Sequence, residues 1–386
     1  MKKAYFDSAA TTRVSDEVVK AMAECLADCY GNPSSTHGYG RSAKSLIEQA
    51  RKNIAKQLKV STSEIIFTSG GTEADNFVLN SAVRDLGVKR IITSKIEHHA
   101  IGHSAEALVN CFNVKLDYVA LDENGSVRLD DLERLLQSSE EKTLVSLMHV
   151  NNELGNILDI KKTAHLCKEY NALFHSDTVQ SIGHYEVDLS DIPVDFCAVS
   201  AHKFHGPKGV GFVFMRKEIG LNSLIFGGGQ ERGFRAGTES VHNIVGLDVA
   251  YTNAYKTLEE DKKYIKSLKA YFIQEIKKAI TEVKFNGLSG DLEKSTYTLV
   301  NMLLPVSPER ALTLLFQLDI KGIACSKGSA CQSGSAKGSH VLTEILSDED
   351  MLKPSLRFSF SKYNTKEEID YAVATLKDFV MAEIPV

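Results

Sequence analysis

The sequence predicts an α/β protein: a large three-layer domain around a mostly parallel sheet, plus a smaller α+β domain towards the C-terminus. Short apolar runs alternate with amphipathic segments up to residue 215, which is typical of strands and helices in layered α/β domains. Residues 295–386 repeat this alternation on a smaller scale. We therefore assign residues 15–260 to the large domain, and residues 1–14 and 261–386 to the small domain.

Length and composition narrow the class of protein. The 386 residues leave room for two domains, and 43% hydrophobic with 25% charged residues is ordinary for a globular protein. A net charge of −5 argues against nucleic-acid binding. The sequence shows no secretory signal and no apolar run near the ~18 residues of a membrane helix. Seven cysteines without framework spacing favour a reducing compartment, so we expect a cytoplasmic protein.

Two amphipathic helices are predicted near the N-terminus, after an extended polar segment. Apolar residues recur at helical spacing over 16–30 and 41–58, and turn signals in 31–37 separate the two runs. Cys25 and Cys29 lie four residues apart on the first helix. This spacing could suit a metal, but no further His or Cys is near, so a packed helix face explains the pair better.

A glycine-rich turn follows the first strand of the predicted sheet, residues 64–68. Ser69-Gly70-Gly71-Thr72 leads from this strand into a helix. Glycines let a ligand approach the backbone, and the first amides of a helix favour an anion such as phosphate. An ordinary strand–turn–helix with Thr72 as N-cap would explain the same residues. On these residues alone both interpretations stay open.

Polar residues gather directly after several predicted strands, where open parallel sheets bind ligands. Of the tandem His98 and His99, at most one can face a common site, and no HExxH or paired-cysteine spacing supports a zinc site. Asp177 ends a buried strand and needs a cationic partner there, although a helix N-cap role would also explain it. The elements predicted over this part of the chain are strands at 90–94, 115–119, 144–148 and 173–177 and helices at 129–137 and 160–170.

Lys203 occupies a Gly/Pro turn between the apolar runs 195–199 and 211–215. Proline and glycine exclude a helix interior there, so the lysine is held on a tight turn between two buried strands. Burial disfavours the ammonium form, and a neutral amine is what Schiff-base chemistry requires. A surface lysine at the tip of a loop is the alternative.

The C-terminal part presents a cysteine and an arginine of interest. Cys331 lies among small polar residues over 325–335, where a thiol gains nothing from burial; an incidental thiol is the alternative. Cys325 ends an apolar run, and we expect it to be packed. Arg357 sits on an apolar strand and needs an anion, either a ligand carboxylate or an internal acid. A helical region over about 239–281 precedes this part, which has predicted strands at 297–302 and 355–359 and helices at 308–318 and 365–381.

Taken together, the motifs resemble those of fold-type I pyridoxal-phosphate enzymes, in their cysteine desulfurase branch of the IscS/NifS type. The resemblance covers nearly the whole chain and is most specific at the lysine motif S-x-H-K-x-x-G-P-K-G. Lys327 stands where this family more often has serine. The other matching motifs are D-x-A-A-T-T from residue 7, G-N-P-S-S-x-H from 31, T-S-x-x-E-H from 93, H-V-N-N-E-x-G from 149, G-G-G-x-E-R-G-x-R-x-G-T from 227 and S-x-G-S-A-C from 326.

The resemblance implies the aspartate aminotransferase-like fold and pyridoxal 5'-phosphate bound through Lys203. Asp177 would hold the ring nitrogen charged, Gln180 would contact the phenolic oxygen, and His98 would stack on the ring and serve as acid or base. Thr238 would reach the phosphate of a second chain, which implies a homodimer with shared active sites. The remaining cofactor-binding residues implied are Gly71, Thr72, Asn152, Ser200 and His202.

The activity implied is removal of sulfur from L-cysteine, which releases alanine and leaves a persulfide on Cys331. Arg357 and Asn32 would bind the substrate, and no metal is implied. Sulfur would pass to acceptor proteins such as an iron–sulfur scaffold, or to tRNA thiolation. The chain ends at Val386, without the longer tail that docks the scaffold in some relatives, so this delivery is less secure than the chemistry. The alternatives are a selenocysteine lyase, an aminotransferase of the same fold or a non-catalytic regulatory homologue.

Overall fold

The computed structural model describes residues 3–327 and 338–382. The strands are β1 Ala4–Tyr5, β2 Ile65–Thr68, β3 Arg90–Thr93, β4 Lys115–Tyr118, β5 Thr143–Ser146, β6 Leu173–Asp177, β7 Phe196–Ser200, β8 Gly211–Met215, β9 Lys284–Phe285, β10 Leu299–Leu303, β11 Ile323–Ala324 and β12 Ser355–Ser359. The helices are α1 Asp16–Asp28, α2 Gly38–Leu58, α3 Gly71–Leu86, α4 His99–Phe112, α5 Leu129–Gln137, α6 Ile160–Glu169, α7 Val241–Lys256, α8 Leu258–Ala279, α9 Pro308–Ile320, α10 His340–Thr343, α11 Asp348–Met351 and α12 Lys366–Met381.

A seven-stranded sheet organises the first two thirds of the chain, in the order β2-β8-β7-β6-β5-β3-β4. Strands β3 to β7 are mutually parallel, whereas β8 is antiparallel to both of its neighbours. The prediction of a mostly parallel sheet is therefore confirmed. Parallel strands place their carboxyl ends at one edge, so the loops that follow β5, β6 and β7 meet there.

Helices cover both faces of this sheet, which confirms the three-layer arrangement. Alternate residues of β8 show the division: Phe212 and Phe214 pack into one core with α2 and α7, whereas Val213 and Met215 pack into the other with α3 and α4. Both faces of the central strands are buried, which explains why their sequences are continuously apolar rather than alternating.

A separate core lies beneath the remaining strands. Antiparallel β12, β10 and β9 form one small sheet, and β1 pairs in parallel with β11. Helices α8, α9 and α12 pack against it, and Ala4 and Phe6 from the start of the chain belong to the same core. We keep the domain division at residues 14/15 and 260/261 as a proposal, and the grouping of Phe6 with residues from Ile265 onward supports it.

The helical region predicted over 239–281 is two helices rather than one. Helix α7 ends at Lys256 and α8 begins at Leu258, with Thr257 between them. The Thr257 hydroxyl donates to the Asp261 carboxylate at 2.7 Å, which stabilises the start of α8. Helix α7 packs in the core of the large sheet and α8 in the second core, so the chain passes between the cores at this break. Within the described ranges, no helix combines the length and apolar content that crossing a bilayer needs.

Candidate active site

A cavity of about 450 Å³ lies at the carboxyl edge of the large sheet, where the predicted site residues meet. The ends of β6 and β7 and the start of α3 form its walls. Residues 9–11 of the N-terminal arm also line it, as does Arg357 from β12. Ten of the residues predicted to act together line this cavity: Gly71, Thr72, His98, Asn152, Asp177, Gln180, Ser200, His202, Lys203 and Arg357.

Lys203 ends the short 3₁₀ turn Ala201–Lys203 that follows β7. Its Nζ donates to the carbonyl oxygens of Ala9 at 2.7 Å and Ala10 at 2.8 Å. The neighbouring His202 accepts at its backbone oxygen from the amide of Thr12 at 2.9 Å. The N-terminal arm is thus laid across the lysine turn, and the two segments define each other's position.

Asp177 lies at the end of β6 and is only 7% exposed. Burial raises the pKa of its carboxyl group to about 6, opposed by the amide of Val179, which donates to Oδ1 at 2.9 Å, and by the charge of Lys203. A carboxylate this buried needs a cation against it to stay ionised, so the cationic ligand partner expected for Asp177 stays a prediction. The nearby Gln180 donates from Nε2 to the Ala9 oxygen at 2.9 Å, which fixes its carboxamide beside the same cavity.

The start of α3 is shaped for close approach of a ligand. Gly70, with φ of 148°, is its N-cap, so the alternative interpretation with Thr72 as N-cap is wrong. A Cβ on Gly71 would lie 2.6 Å from Cγ2 of Val179, so only glycine fits there. The helix is 16 residues long, and its N-terminal amides carry the partial positive charge that attracts an anion.

His98 is the N-cap of α4, and its Nδ1 accepts from the amide of Ala100 at 3.2 Å. Burial, together with the charge of Lys203, lowers the pKa of His98 to about 4. The ring is therefore neutral near pH 7 with its proton on Nε2. His99 instead stacks against His340 and His103, with ring centroids 4.3 Å and 4.7 Å apart, and neither His99 nor His103 lines the cavity.

Arg357 is 1% exposed and already has internal partners. Its Nη1 donates to the Asn152 oxygen at 2.7 Å, and its Nη2 donates to the Asp7 carboxylate at 3.0 Å. Nε is buried without a hydrogen-bond partner among the described residues. The internal ion pair considered from the sequence is therefore present, on a guanidinium that also lines the cavity.

Two predicted residues lie away from the cavity of their own chain. Asn32 is exposed, and its side-chain oxygen accepts from the amide of Ser34 at 2.9 Å in the turn before α2. Thr238 is also exposed, beyond the glycine-rich segment 227–233. Neither lines the cavity, so their binding roles stay predictions.

Cys331 lies outside the described residues, but its flanks are placed. Ser326 pairs with Arg357, whose amide donates to the Ser326 oxygen at 2.8 Å. On the other side, Ser339 donates from its hydroxyl to the buried Glu153 carboxylate at 2.5 Å. Both anchors adjoin residues 152 and 357 of the cavity wall. Cys325 is half-buried beside the second core, and burial raises the pKa of its thiol, as does the nearby Asp7.

Asp75 is a cavity residue that motif reasoning missed. It is 1% exposed on the inner face of α3, and its Oδ1 lies 3.5 Å from Nε2 of the fully buried His175. Burial, with repulsion from Asp177 and Glu97, raises the pKa of Asp75 well above its usual value. The signal was available, because Asp75 interrupts the apolar stripe formed by Ala74 and Val78.

These residues fit pyridoxal 5'-phosphate. The cavity offers a lysine amine, a buried carboxylate at Asp177 for the ring nitrogen and a glycine-lined helix start for the phosphate. Ser200 and His202 flank the lysine and add polar contacts. A Cβ at position 71 would lie 2.6 Å from Cγ2 of Val179. Glycine avoids this clash and leaves the backbone open to a phosphate.

Comparison with known proteins gives a consistent result. The Aminotransferase class-V family profile matches residues 4–372. The cysteine desulfurase IscS of Dictyoglomus turgidum is 38% identical over 98% of this chain and 95% of its own length. A structure described as a NifS-like protein superposes with a TM-score of 0.89 at 36% identity, covering 98% of this chain and 99% of its own. The structure of SspA in complex with cysteine has a TM-score of 0.76 at 30% identity and covers 94% and 99%.

The match spans both the large sheet and the second core, so it includes every described part of the cavity wall. The matched residues include the lysine turn, the buried Asp177 and the glycine start of α3. The chain belongs to the class-V aminotransferase family of pyridoxal-phosphate enzymes and, within it, to the cysteine desulfurases.

Proposed function

We propose that this protein takes sulfur from L-cysteine, releases L-alanine and holds the sulfur as a persulfide on Cys331. The observation that carries the proposal is the single cavity in which the Lys203 amine, the Asp177 carboxylate and the Arg357 guanidinium meet. An aminotransferase of the same fold needs no loop thiol, so Cys331 favours the desulfurase.

Pyridoxal phosphate, when bound, supplies an electron sink for bonds at the substrate α-carbon. Asp177 would keep the ring nitrogen charged, because a cation against its carboxylate favours the ionised form that burial alone disfavours. The amine of Lys203 moves protons at the α-carbon once substrate has replaced it. His98 is neutral and carries its hydrogen on Nε2, so it can stack on the ring and donate a hydrogen bond from Nε2.

Sulfur transfer belongs to Cys331. Its thiolate forms an S–S bond with the substrate sulfur while the C–S bond breaks; the electron pair of that bond stays on carbon, which takes up a proton to give alanine. Ser326, five residues before Cys331 in the sequence, is held beside Arg357 of the cavity wall. Cys325 is a poor nucleophile because burial raises the pKa of its thiol.

Substrate binding is assigned to Arg357, with Asn32 as a second contact. A guanidinium pairs well with a carboxylate, and Nε of Arg357, which has no partner among residues 3–327 and 338–382, leaves it hydrogen-bonding capacity beyond Asp7 and Asn152. Asn32 lies outside this cavity in its own chain, so its role requires a second subunit.

The homodimer with shared active sites is supported by the segment that ends at Thr238. Glu231 is buried and accepts from both terminal nitrogens of Arg51, each at 2.8 Å, so the segment is anchored to the large domain. Phe226, at the start of the same segment, is 79% exposed, and Thr238 is exposed too. An anchored segment with an exposed aromatic and a phosphate-binding threonine suits delivery to a partner chain. The sulfur would then pass to acceptor proteins such as an iron–sulfur scaffold.

A single-turnover reaction tests the function. Purified protein loaded with pyridoxal phosphate and given L-cysteine should form alanine and a persulfide, located by mass spectrometry on the peptide containing Cys331. Cys331→Ser should abolish both products while the cofactor stays bound. Cys325→Ser is the matched control and should change activity little. A sulfur adduct on Cys325 with Cys331 unmodified would overturn the proposed chemistry.

A further inference from the structure

Lys203 is held by a hydrogen bond at its backbone carbonyl as well as by those at its side-chain amine. Nε2 of His184 lies 3.0 Å from the carbonyl oxygen of Lys203. A carbonyl oxygen only accepts, so Nε2 carries the proton and donates this bond. His184 follows Gln180 in the turn after β6 and is not among the residues that line the 450 Å³ cavity.

The ring of His184 is oriented by Tyr297. The Tyr297 hydroxyl donates to the His184 backbone oxygen at 3.0 Å and lies 3.4 Å from Nδ1. The two rings pack edge to face, with centroids 6.2 Å apart at an interplanar angle of 68°. The single hydroxyl proton of Tyr297 goes to the backbone oxygen of His184, so Tyr297 fixes the backbone and the ring plane of His184, whereas the Lys203 carbonyl requires the proton on Nε2.

Tyr297 belongs to the second core, whereas Lys203 follows a strand of the large sheet. The series Tyr297, His184 and Lys203 therefore joins the second core to the lysine turn by side-chain contacts. The two aromatic side chains also line a second cavity, of about 460 Å³, which lies on the other side of this turn. Burial lowers the pKa of His184, so its ring is neutral and places no second positive charge beside the lysine.

We propose that His184 is a positioning residue for Lys203: its hydrogen bond to the lysine carbonyl, oriented by Tyr297, fixes the turn from which the amine reaches the cofactor. This inference rests on the proposed function, in which Lys203 binds pyridoxal phosphate. The arm carbonyls of Ala9 and Ala10 hold the tip of the side chain, and His184 holds its backbone. Removing His184 would take away this donor to the Lys203 carbonyl, while the Thr12 amide would still bond the neighbouring His202 carbonyl.

The test compares three variants. His184→Phe keeps an aromatic ring but has no donor; His184→Gln keeps an N–H donor; Tyr297→Phe removes only the orienting hydroxyl. For each apo-protein the dissociation constant of pyridoxal phosphate is measured, and for each loaded protein the pH midpoint of the cofactor absorbance change. The thermal midpoint of the apo-protein is measured alongside, to separate positioning from general loss of stability.

We expect His184→Phe to weaken pyridoxal-phosphate binding about fivefold, the range for one lost hydrogen bond, and to shift the pH midpoint of the absorbance change. His184→Gln should bind nearly as tightly as the wild type. Tyr297→Phe should change the dissociation constant and the pH midpoint in the same direction but by less. If His184→Phe does not fold, Tyr297→Phe serves as the test variant in its place. Equal binding and an unchanged midpoint in the Phe variants, or a loss in His184→Gln as large as in His184→Phe, would overturn the inference.

The proposed function can fail separately. Borohydride treatment of the loaded wild type should fix the cofactor to the peptide containing Lys203. If no label appears there, the assignment of Lys203 is wrong and the inference about His184 is wrong with it. If the label appears on Lys203 and the variants behave as the wild type, only the role of His184 is overturned.

Discussion

The amine of Lys203 lies against two backbone carbonyls of the N-terminal arm, and a second lysine lines the same cavity. Lys208 is exposed and five residues further along the same Gly/Pro loop. The two amines differ in their surroundings: Lys203 is half-buried and directed at Ala9 and Ala10, whereas Lys208 is exposed. A desolvated amine is the better partner for a carbonyl group, because burial favours the neutral form.

Borohydride labelling should therefore distinguish the two lysines. Reduction of the yellow, loaded protein should place the cofactor on Lys203, and Lys203→Ala should remove the label. Lys208→Ala is the matched control, and its label should stay on Lys203. Recovery of the label on Lys208 in the wild type would refute the assignment.

The buried carboxyl group of Asp75 lowers the free energy of unfolding by an amount that depends on pH. Its pKa is raised in the folded protein, chiefly by burial, and His175 cannot neutralise it because burial lowers the pKa of that ring to about 3. Above the unfolded pKa of about 4, the unfolded chain has released the Asp75 proton while the folded chain keeps it. Stability contributed by this group therefore falls as pH rises.

Asp75→Asn should remove this cost. The free energy of unfolding of the apo variant, relative to wild type, should rise with pH above about 4, by up to about 1.4 kcal/mol per pH unit until the folded Asp75 ionises. Urea unfolding at several values between pH 5 and pH 8 measures it. Asp319→Asn, on the exposed side of α9, is the control and should give a flat difference. A variant that loses stability relative to wild type as pH rises would show that Asp75 is ionised and stabilising.

The start of α3 is the element on which phosphate binding depends. Glycines at 70 and 71 give the chain its sharp entry into the helix, and Val179, two residues after Asp177, fills the space beside Gly71. The two segments that would hold the opposite ends of the cofactor, the helix start and the end of β6, are thus in direct contact. A change at one is transmitted to the other.

Gly71→Ala should weaken pyridoxal-phosphate binding at least about tenfold, because the new Cβ would lie 2.6 Å from Val179 Cγ2 and displace the segment carrying Asp177. Fluorescence titration of the apo-protein measures this. Gly102→Ala, inside α4 where the added Cβ meets nothing within 4 Å, is the control and should stabilise the protein by about 0.5–1 kcal/mol without affecting binding. Equal binding by wild type and Gly71→Ala would contradict the assignment of this turn to phosphate.

Much of this site was predictable, for a physical reason. Lys203, Asp177 and the glycine turn at residue 71 follow buried strands directly, so local sequence places them at one sheet edge. What depends on distant packing was not predictable. The break between α7 and α8 at Thr257 depends on which core each helix joins. The ion-pair partner of Arg357 is Asp7, which is 350 residues away in the sequence. Asp75 and His184 belong to no recognised motif position, so only the packed structure revealed their contacts.

At the scale of the whole molecule, the cavity combines pieces from both cores and, in our proposal, from two chains. Arg357 comes from the second core and Lys203 from the large sheet, whereas Thr238 lies exposed on its own chain. Shared sites predict that a defect in one chain is complemented by an intact residue in the other.

Mixed dimers of Lys203→Ala and a bulky Thr238→Trp chain test this. With shared sites, one site of each mixed dimer would receive both substitutions and the other would receive neither, so about one intact site per mixed dimer should bind cofactor and form alanine. Dimers of either variant alone should be inactive and serve as controls. If mixed dimers stay inactive, each site is built within a single chain.

The N-terminal arm also determines when the active centre can appear during synthesis. Ala4 and Tyr5 pair with Ile323 and Ala324, and the Ala9 amide donates to the Ser359 hydroxyl at 2.8 Å, a contact that spans 350 residues. The arm is translated 350 residues before the strand that carries Ser359. The large sheet can fold while the nascent chain is still growing, but the carbonyls that hold the Lys203 amine are secured only after the final strand emerges. Assembly of this centre therefore has to wait for the strand that carries Ser359, and chains truncated before this strand lack the contacts that hold the arm against the Lys203 amine.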